Sequence, residues 1–307
     1  MKVMENVLNT DKLEHFAVQV KKHKIDHCQV FHQDRVVFSH ARNSVTERRL
    51  HKFNSVTKSV LSLLIGISID RRELDGVDSP LSLWFPDAPM DVTVGHLLTM
   101  TPGWSWPEWG DWGGRPQPMQ NSKNWIRFIM SRERLEPPGM RMRYDSGSSQ
   151  LLSAILQKAT GMTADKYAER HLFGPLGIDA YRWYSDPKGT TIGGFGLEFA
   201  AQHLLTIGRL MLDQGVWNGR RIVSEDWVAS STERRFHTYD KVGSYGYHWW
   251  VLTQENDQVT DPYVFFAMGY GGQYIFVVPD LRIVVTFAST LYKDTFLPLR
   301  LFRQLMF

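Results

Sequence analysis

Residues Phe53-Asn54-Ser55-Val56-Thr57-Lys58-Ser59 put a serine three positions ahead of a lysine. On a helix that spacing brings both side chains to one face. A serine hydroxyl is a weak nucleophile and reacts when a neighbouring base takes its proton. A lysine in an apolar setting can serve, because burial disfavours the ammonium and lowers its pKa. The run from Val60 to Ile69 supplies such a setting. A serine in the first turn also sits among backbone N–H groups that lack helical partners, and these favour negative charge on a reacting oxygen. The pattern also describes an N-capping serine followed by a solvated lysine.

Two later segments can join this pair. Pro138-Gly139-Met140-Arg141-Met142-Arg143-Tyr144-Asp145-Ser146-Gly147 is a polar loop ahead of a helix, with Tyr144 89 residues after Ser55. A tyrosinate stabilised by Lys58 is a competent base for Ser55 and a proton donor to a leaving group. Alternatively, Tyr144 packs in a turn while Asp145 or Ser146 caps the next helix. Phe266-Ala267-Met268-Gly269-Tyr270-Gly271-Gly272-Gln273 joins two strand-like segments. Glycines there let the backbone approach a ligand, and a strand-edge N–H aimed at Ser55 would complete an oxyanion hole. A glycine-rich hairpin turn is the plainer reading.

These segments need a frame. Leu13, Phe16, Ala17 and Val20 predict an amphipathic helix over 11–24. Cys28–His32 and Val36–His40 read as a hairpin around Gln33-Asp34-Arg35. Ser55–Asp70 reads as a buried helix, because its apolar residues surround much of the cylinder. Further helices are expected over 148–160, 163–172, 199–213, 224–230 and 293–306, and strands over 245–253, 264–268, 273–278 and 282–288. Between them, 102–121 holds Trp104, Trp106, Trp109 and Trp112 among Pro and Gly, a structured loop because rings of this size find burial. The order predicts an α+β fold. One antiparallel sheet is built from both ends of the chain and flanked by the N- and C-terminal helices, with a mainly helical insertion. The expected division is 1–48 with 236–307 for the sheet and 49–235 for the insertion, with the site at their interface.

Composition removes several functions. The chain has 307 residues, 43% hydrophobic and 22% charged, with a net charge of +3. Its basic residues are scattered, which argues against nucleic-acid binding. Cys28 is the one cysteine, so no intrachain disulfide is possible, and its strand-like setting suggests a buried small hydrophobe. No Gly-x-Ser-x-Gly elbow, His-Glu-x-x-His or other metal-spaced cluster is present, so no metal or cofactor is expected. His96, His203 and His248 read as packing or surface residues. The N-terminus shows no signal peptide, and no apolar run is long enough to span a bilayer, so a soluble, cytoplasmic protein is expected.

Taken together, Ser55-x-x-Lys58, Tyr144 and the Gly269–Gln273 segment resemble the class C β-lactamase-like serine hydrolases, which include penicillin-binding D-peptidases, esterases and 6-aminohexanoate-dimer hydrolases. Leu97-Leu98-Thr99-Met100-Thr101-Pro102-Gly103, Phe173-Gly174-Pro175-Leu176-Gly177-Ile178 and Asp213-Gln214-Gly215-Val216-Trp217-Asn218-Gly219 share the likeness, which covers roughly 28–290. It implies Ser55 as acylated nucleophile, Lys58 and Tyr144 as its proton partners, and the N–H groups of Ser55 and Tyr270 as oxyanion hole. Ser146 stands where many members have asparagine. Ala267-Met268-Gly269 replaces the Lys-Thr-Gly of the β-lactamases, so the usual contacts to a penicillin carboxylate are missing and Gly269 becomes a substrate neighbour. The tryptophan loop would overhang the site, with Trp104 and Trp106 as substrate contacts or as plain packing. Glu108 and Asp111 read as solvated loop charges, or as contacts to a substrate amine. The implied activity is hydrolysis of a small ester or amide through an acyl-enzyme. The alternative is a penicillin-binding or weakly β-lactamase- or D-peptidase-like protein that acylates with little turnover. The expected partner is a small molecule, and no oligomeric state follows.

Overall fold

A computed structural model describes residues 8–239, 242–254 and 257–307. Eight strands form one antiparallel sheet: β1 (Ile25–His32), β2 (Arg35–Ala41), β3 (Phe236–Tyr239), β4 (Gly243–Tyr245), β5 (Trp250–Val251), β6 (Phe265–Gly269), β7 (Gln273–Val278) and β8 (Ile283–Ser289). Their order across the sheet is β2-β1-β8-β7-β6-β5-β4-β3. The C-terminal strands thus form a meander in chain order, and the N-terminal hairpin is added to its last strand, with Cys28 opposite Phe287.

The central strands are mostly apolar because both faces are covered. Side chains alternate across a strand. Ile275 and Val277 join the core of the helical middle, while Tyr274, Phe276 and Val278 join the core under the terminal helices. Those helices, Thr10–Lys22 and Leu297–Met306, pack against each other, and the ring of Phe302 stacks on Phe276 at 4.0 Å. On the opposite face the helix His203–Leu212 lies on β7 and β8.

The helix Val56–Asp70 runs through the middle, buried from Val56 to Ser68. Two of its buried serines are satisfied outside the helix: Ser59 donates to the His248 carbonyl and Ser62 to that of Tyr247, each at 2.7 Å. It packs on β6 and on the helix Ser146–Thr160. This second helix is bounded by local chemistry. Asp145 caps its start, and Gly161 ends it in the left-handed conformation at φ 72°.

Sequence periodicity misplaced some boundaries. The expected helix over 199–213 begins only at His203, because Leu197–Ala200 pairs between Leu50–Lys52 and Tyr181–Trp183 in a three-stranded sheet. A short apolar run does not distinguish a buried strand from a helix. The single strand expected over 245–253 is two, β4 and β5, separated by a turn at Gly246–Trp249 where His248 has φ 61°. The hairpin turn uses Gln33 and Asp34, both at positive φ, while Arg35 already belongs to β2.

Candidate active site

Ser55 occupies the N-cap position of its helix, yet its side chain makes no capping hydrogen bond. Val56, Thr57 and Lys58 N–H groups instead close tight turns onto the carbonyls of Phe53, Asn54 and Ser55. The first-turn donors are therefore occupied, contrary to expectation, and the serine hydroxyl is left for other contacts. It meets Lys58 Nζ at 3.2 Å and forms a hydrogen bond with the Tyr144 hydroxyl.

Lys58 is 1% exposed. Burial lowers its pKa to about 8, against the opposing pull of the Glu108 and Asp145 charges. Besides Ser55, its amine donates to Ser146 Oγ at 3.0 Å and to the Gly194 carbonyl at 2.7 Å. Gly194 was not singled out by sequence. The approach needs the adjacent glycines: a Cβ on Gly194 would lie 3.2 Å from Lys58 Nζ, and one on Gly193 2.0 Å from the Ser149 carbonyl. The helix after Tyr144 holds this segment through Gln150, which accepts from Gly193 N–H, and Ser153, which donates to Thr191 O.

Tyr144 is buried, with Lys58 Nζ 4.9 Å from its ring centroid and Trp109 stacked on it at 4.6 Å. Burial, then the Glu108 charge, push its pKa well above the ordinary phenol value. That shift favours the neutral phenol over the Lys58-stabilised tyrosinate that the sequence offers as a base.

Beneath Tyr144 two carboxylates are buried. Asp145 accepts from the N–H groups of Gly147 and Ser148, from Ser148 Oγ and from Trp104 Nε1. Glu108, 3% exposed, accepts from Ser146 N–H and Trp106 Nε1 at 2.8 Å and from Ser146 Oγ at 2.7 Å. The expectation of a solvated charge fails for Glu108 and holds for Asp111, which is exposed. The Trp-Pro-Glu-Trp segment carries one usable signal: a carboxylate between two indoles can supply the acceptor that a buried indole N–H requires.

A cavity of about 460 Å³ opens over Ser55, lined by Trp109, Tyr144, Met268, Tyr270 and Tyr292 among others. Trp104 and Trp106, expected as substrate contacts, lie outside that lining; both are buried, with indole N–H groups turned to carboxylates. Of the four tryptophans of the loop, Trp109 is the one that faces the cavity. Ser146 is likewise behind the cavity wall, between Lys58 and Glu108.

Gly269 closes the other side at the end of β6. A Cβ there would lie 2.2 Å from the Phe53 carbonyl and 3.2 Å from Ser55 N, so only glycine lets strand and helix start approach this closely. Ser289 Oγ donates to the Gly271 and Gly272 carbonyls, and Gln273 Nε2 to the carbonyls of Ser289 and Gly271. Among the described residues, neither Ser55 N–H nor Tyr270 N–H donates to another atom of the chain, and both residues border the cavity.

His248 is a packing residue. Its Nδ1 faces the Leu98 carbonyl and its Nε2 the Ser149 hydroxyl, and burial lowers its pKa to about 3. Among the described residues no group of three or more His, Cys, Asp or Glu is arranged to hold a metal ion, and no helix is long and apolar enough to cross a membrane.

The family model described as Beta-lactamase matches residues 28–303. The chain belongs to the β-lactamase family. This family consists in general of serine-dependent hydrolases. The chain is 24% identical over 266 residues to a 6-aminohexanoate-dimer hydrolase of Paenarthrobacter ureafaciens, a match covering 78% of this chain and 66% of that relative, just under two thirds of its length. Its fold is similar to EstCE1, described as a hydrolase with promiscuous acyltransferase activity, with a TM-score of 0.76 and 17% identity over 96% of this chain and 97% of the other. It is also similar to a penicillin-binding protein of Bacillus halodurans, with a TM-score of 0.72 and 18% identity over 93% and 99% of the two chains. The fold is thus that of the β-lactamases and transpeptidases, and a 6-aminohexanoate-dimer hydrolase is among the chain's relatives.

Proposed function

We propose that this chain is an esterase or amidase that cleaves a small ester or linear amide through an acyl-enzyme on Ser55. The observation that carries the reading is the uncapped Ser55 hydroxyl, held between Lys58 Nζ and the Tyr144 hydroxyl on the floor of an open cavity. The pKa lowered to about 8 makes neutral Lys58 accessible as the base and leaves Tyr144 as the acid. Neutral Lys58 takes the proton of Ser55 as its oxygen adds to the substrate carbonyl. The Ser55 and Tyr270 N–H groups receive the oxyanion. Tyr144 gives its proton to the departing oxygen or nitrogen, and the Lys58 ammonium stabilises and reprotonates the phenolate. Water then attacks the ester on Ser55, and the same groups return the proton to the serine.

Absence of a lysine on β6 shapes the substrate. Ala267 is fully buried and Met268 presents an apolar side chain to the cavity, so this strand offers no charge to a penicillin carboxylate. That favours esters and linear amides over β-lactams. The test exposes the protein to a short-chain aryl ester, a linear amide and a fluorescent penicillin, and locates any adduct by intact mass and peptide mapping. Ester or amide turnover with an adduct on Ser55 supports the reading. No cleavage and no Ser55 adduct overturns it, and a stable penicillin adduct without turnover establishes the acylated binding protein instead.

A further inference from the structure

We infer that Glu108, acting through Ser146, is a positioning residue that aims the lone pair of Lys58 at Ser55. The inference rests on Lys58 being the base proposed above.

A neutral lysine amine has two N–H donors and one lone pair. Three oxygens surround Lys58 Nζ: the Gly194 carbonyl, Ser146 Oγ and Ser55 Oγ. The carbonyl can only accept. Ser146 Oγ can donate or accept, but it has one hydrogen, and that hydrogen goes to Glu108 Oε1 at 2.7 Å. Ser146 must therefore accept from Lys58. Both amine hydrogens are then committed, and the lone pair is left pointing at the Ser55 hydroxyl. Glu108 cannot turn away, because its other oxygen accepts from Trp106 Nε1 and from Ser146 N–H, and the whole assembly is buried.

Glu108 has a second effect through its charge. It lies one hydroxyl away from Lys58 and opposes the lowering of the amine's pKa by burial. The other titratable groups around the amine are Asp145, which acts in the same direction, the neutral His248, and Tyr144. Tyr239 and Tyr245 also face Glu108 and stay neutral phenols, their pKa values raised by burial.

Glu108→Gln separates these roles. If the amide oxygen keeps the Trp106 and Ser146 N–H bonds, its NH2 faces Ser146 Oγ and donates to it. The Ser146 hydrogen then turns toward Lys58 and occupies the lone pair. Loss of the charge also lets the Lys58 pKa fall. Two measurements read the result: the pH dependence of Ser55 acylation by an aryl ester, followed by mass in a single turnover, and an NMR titration of Lys58 in protein carrying 13Cε-lysine. The second reports protonation even in a protein that turns over nothing, so failure of the hydrolase reading and failure of this inference give different results. For Glu108→Gln we expect the Lys58 midpoint to drop by about one pH unit, as loss of a nearby opposite charge does. The plateau of acylation should fall about tenfold or more, the order of effect of a misaimed base. Ser146→Ala keeps the charge, so its midpoint should move much less while its plateau falls. Its folding is checked by a thermal melt, and it carries the test should Glu108→Gln fail to fold. A Glu108→Gln protein with wild-type midpoint and wild-type plateau overturns the inference, as does Ser146→Ala with an unchanged plateau.

Discussion

The two walls of the Ser55 cavity are built in opposite ways. One wall, Tyr144 to Gln150 with the tryptophan loop behind it, is fixed by buried side chains: two carboxylates, two indole N–H groups and a row of serines, each bonded to another. The other wall, Gly269 to Gln273 with 292–296, is fixed through its backbone, while the side chains of Tyr270 and Tyr292 stand 44% and 45% exposed. The first wall carries Tyr144 and, through Ser146, holds the Lys58 amine. The second offers backbone N–H groups and exposed aromatic surface. Preorganisation is needed where charge develops, because dipoles that are already in place cost nothing to reorient during reaction. It is not needed where a substrate's shape is read. On the proposed mechanism the fold separates chemistry from specificity across a cavity of about 460 Å³.

The largest effect should come from the residue between the walls. Ser55→Ala removes the proposed nucleophile without disturbing a cap, since the hydroxyl makes none. Turnover of an aryl ester should fall by at least about 10⁴-fold and all covalent labelling should vanish, as for loss of a nucleophile elsewhere. Residual acylation in that variant would place the nucleophile on another residue.

A cut into the buried wall should cost stability as well as rate. Asp145→Ala leaves Trp104 Nε1, Ser148 Oγ and two helix-start N–H groups without their acceptor. Buried donors orphaned together should cost about 3 kcal/mol of unfolding free energy. Urea melts at constant slope measure it, and a change of under about 0.5 kcal/mol would mean this wall is not held as described.

The pH profile tests the base that this wall holds in place. Lys58 titrates at about 8, below the ordinary lysine value. The base form is the deprotonated one, so it is depleted below that midpoint and fully present above it. kcat/KM for an uncharged ester should rise about tenfold per pH unit below 8 and level off above it. A profile already flat at pH 6 would exclude Lys58 as the titrating base.

How much of this was legible in sequence follows the same division. Ser55 and Lys58 were legible because three-residue spacing on one helix is local geometry, and Tyr144 because its loop leads directly into a helix. The glycine segment was legible because Gly269 is where chain must pass chain. Glu108 and Gly194 were not. Each contributes through contacts with residues 38 and 136 positions away, and no local pattern encodes those separations. Trp104 and Trp106 were recognised as rings in need of burial, but which ring of four faces the cavity depends on how the loop folds back over Tyr144. The alternation of β6 to β8 was hidden by burial on both faces, which makes strands read as unbroken apolar runs.

The smallest effect is expected on the open wall, and there the prediction is one of kind. Tyr292→Ala removes an exposed ring that touches Tyr270, while the Tyr292 carbonyl that accepts from the Tyr270 hydroxyl remains. Tyr270→Ala removes a side chain but keeps the backbone N–H beside Ser55. Neither should change unfolding free energy by more than about 0.5 kcal/mol, as for other exposed substitutions. Neither should lower kcat appreciably, because the contacts that hold Lys58 and Tyr144 lie outside this wall. What should change is KM, by about three- to tenfold for an ester with a bulky acyl group and hardly at all for an acetate ester, because one lost apolar contact is worth about one buried methylene or two. Equal losses of kcat for both esters would show that the open wall also orients the reacting carbonyl, and the separation of chemistry from shape would fail.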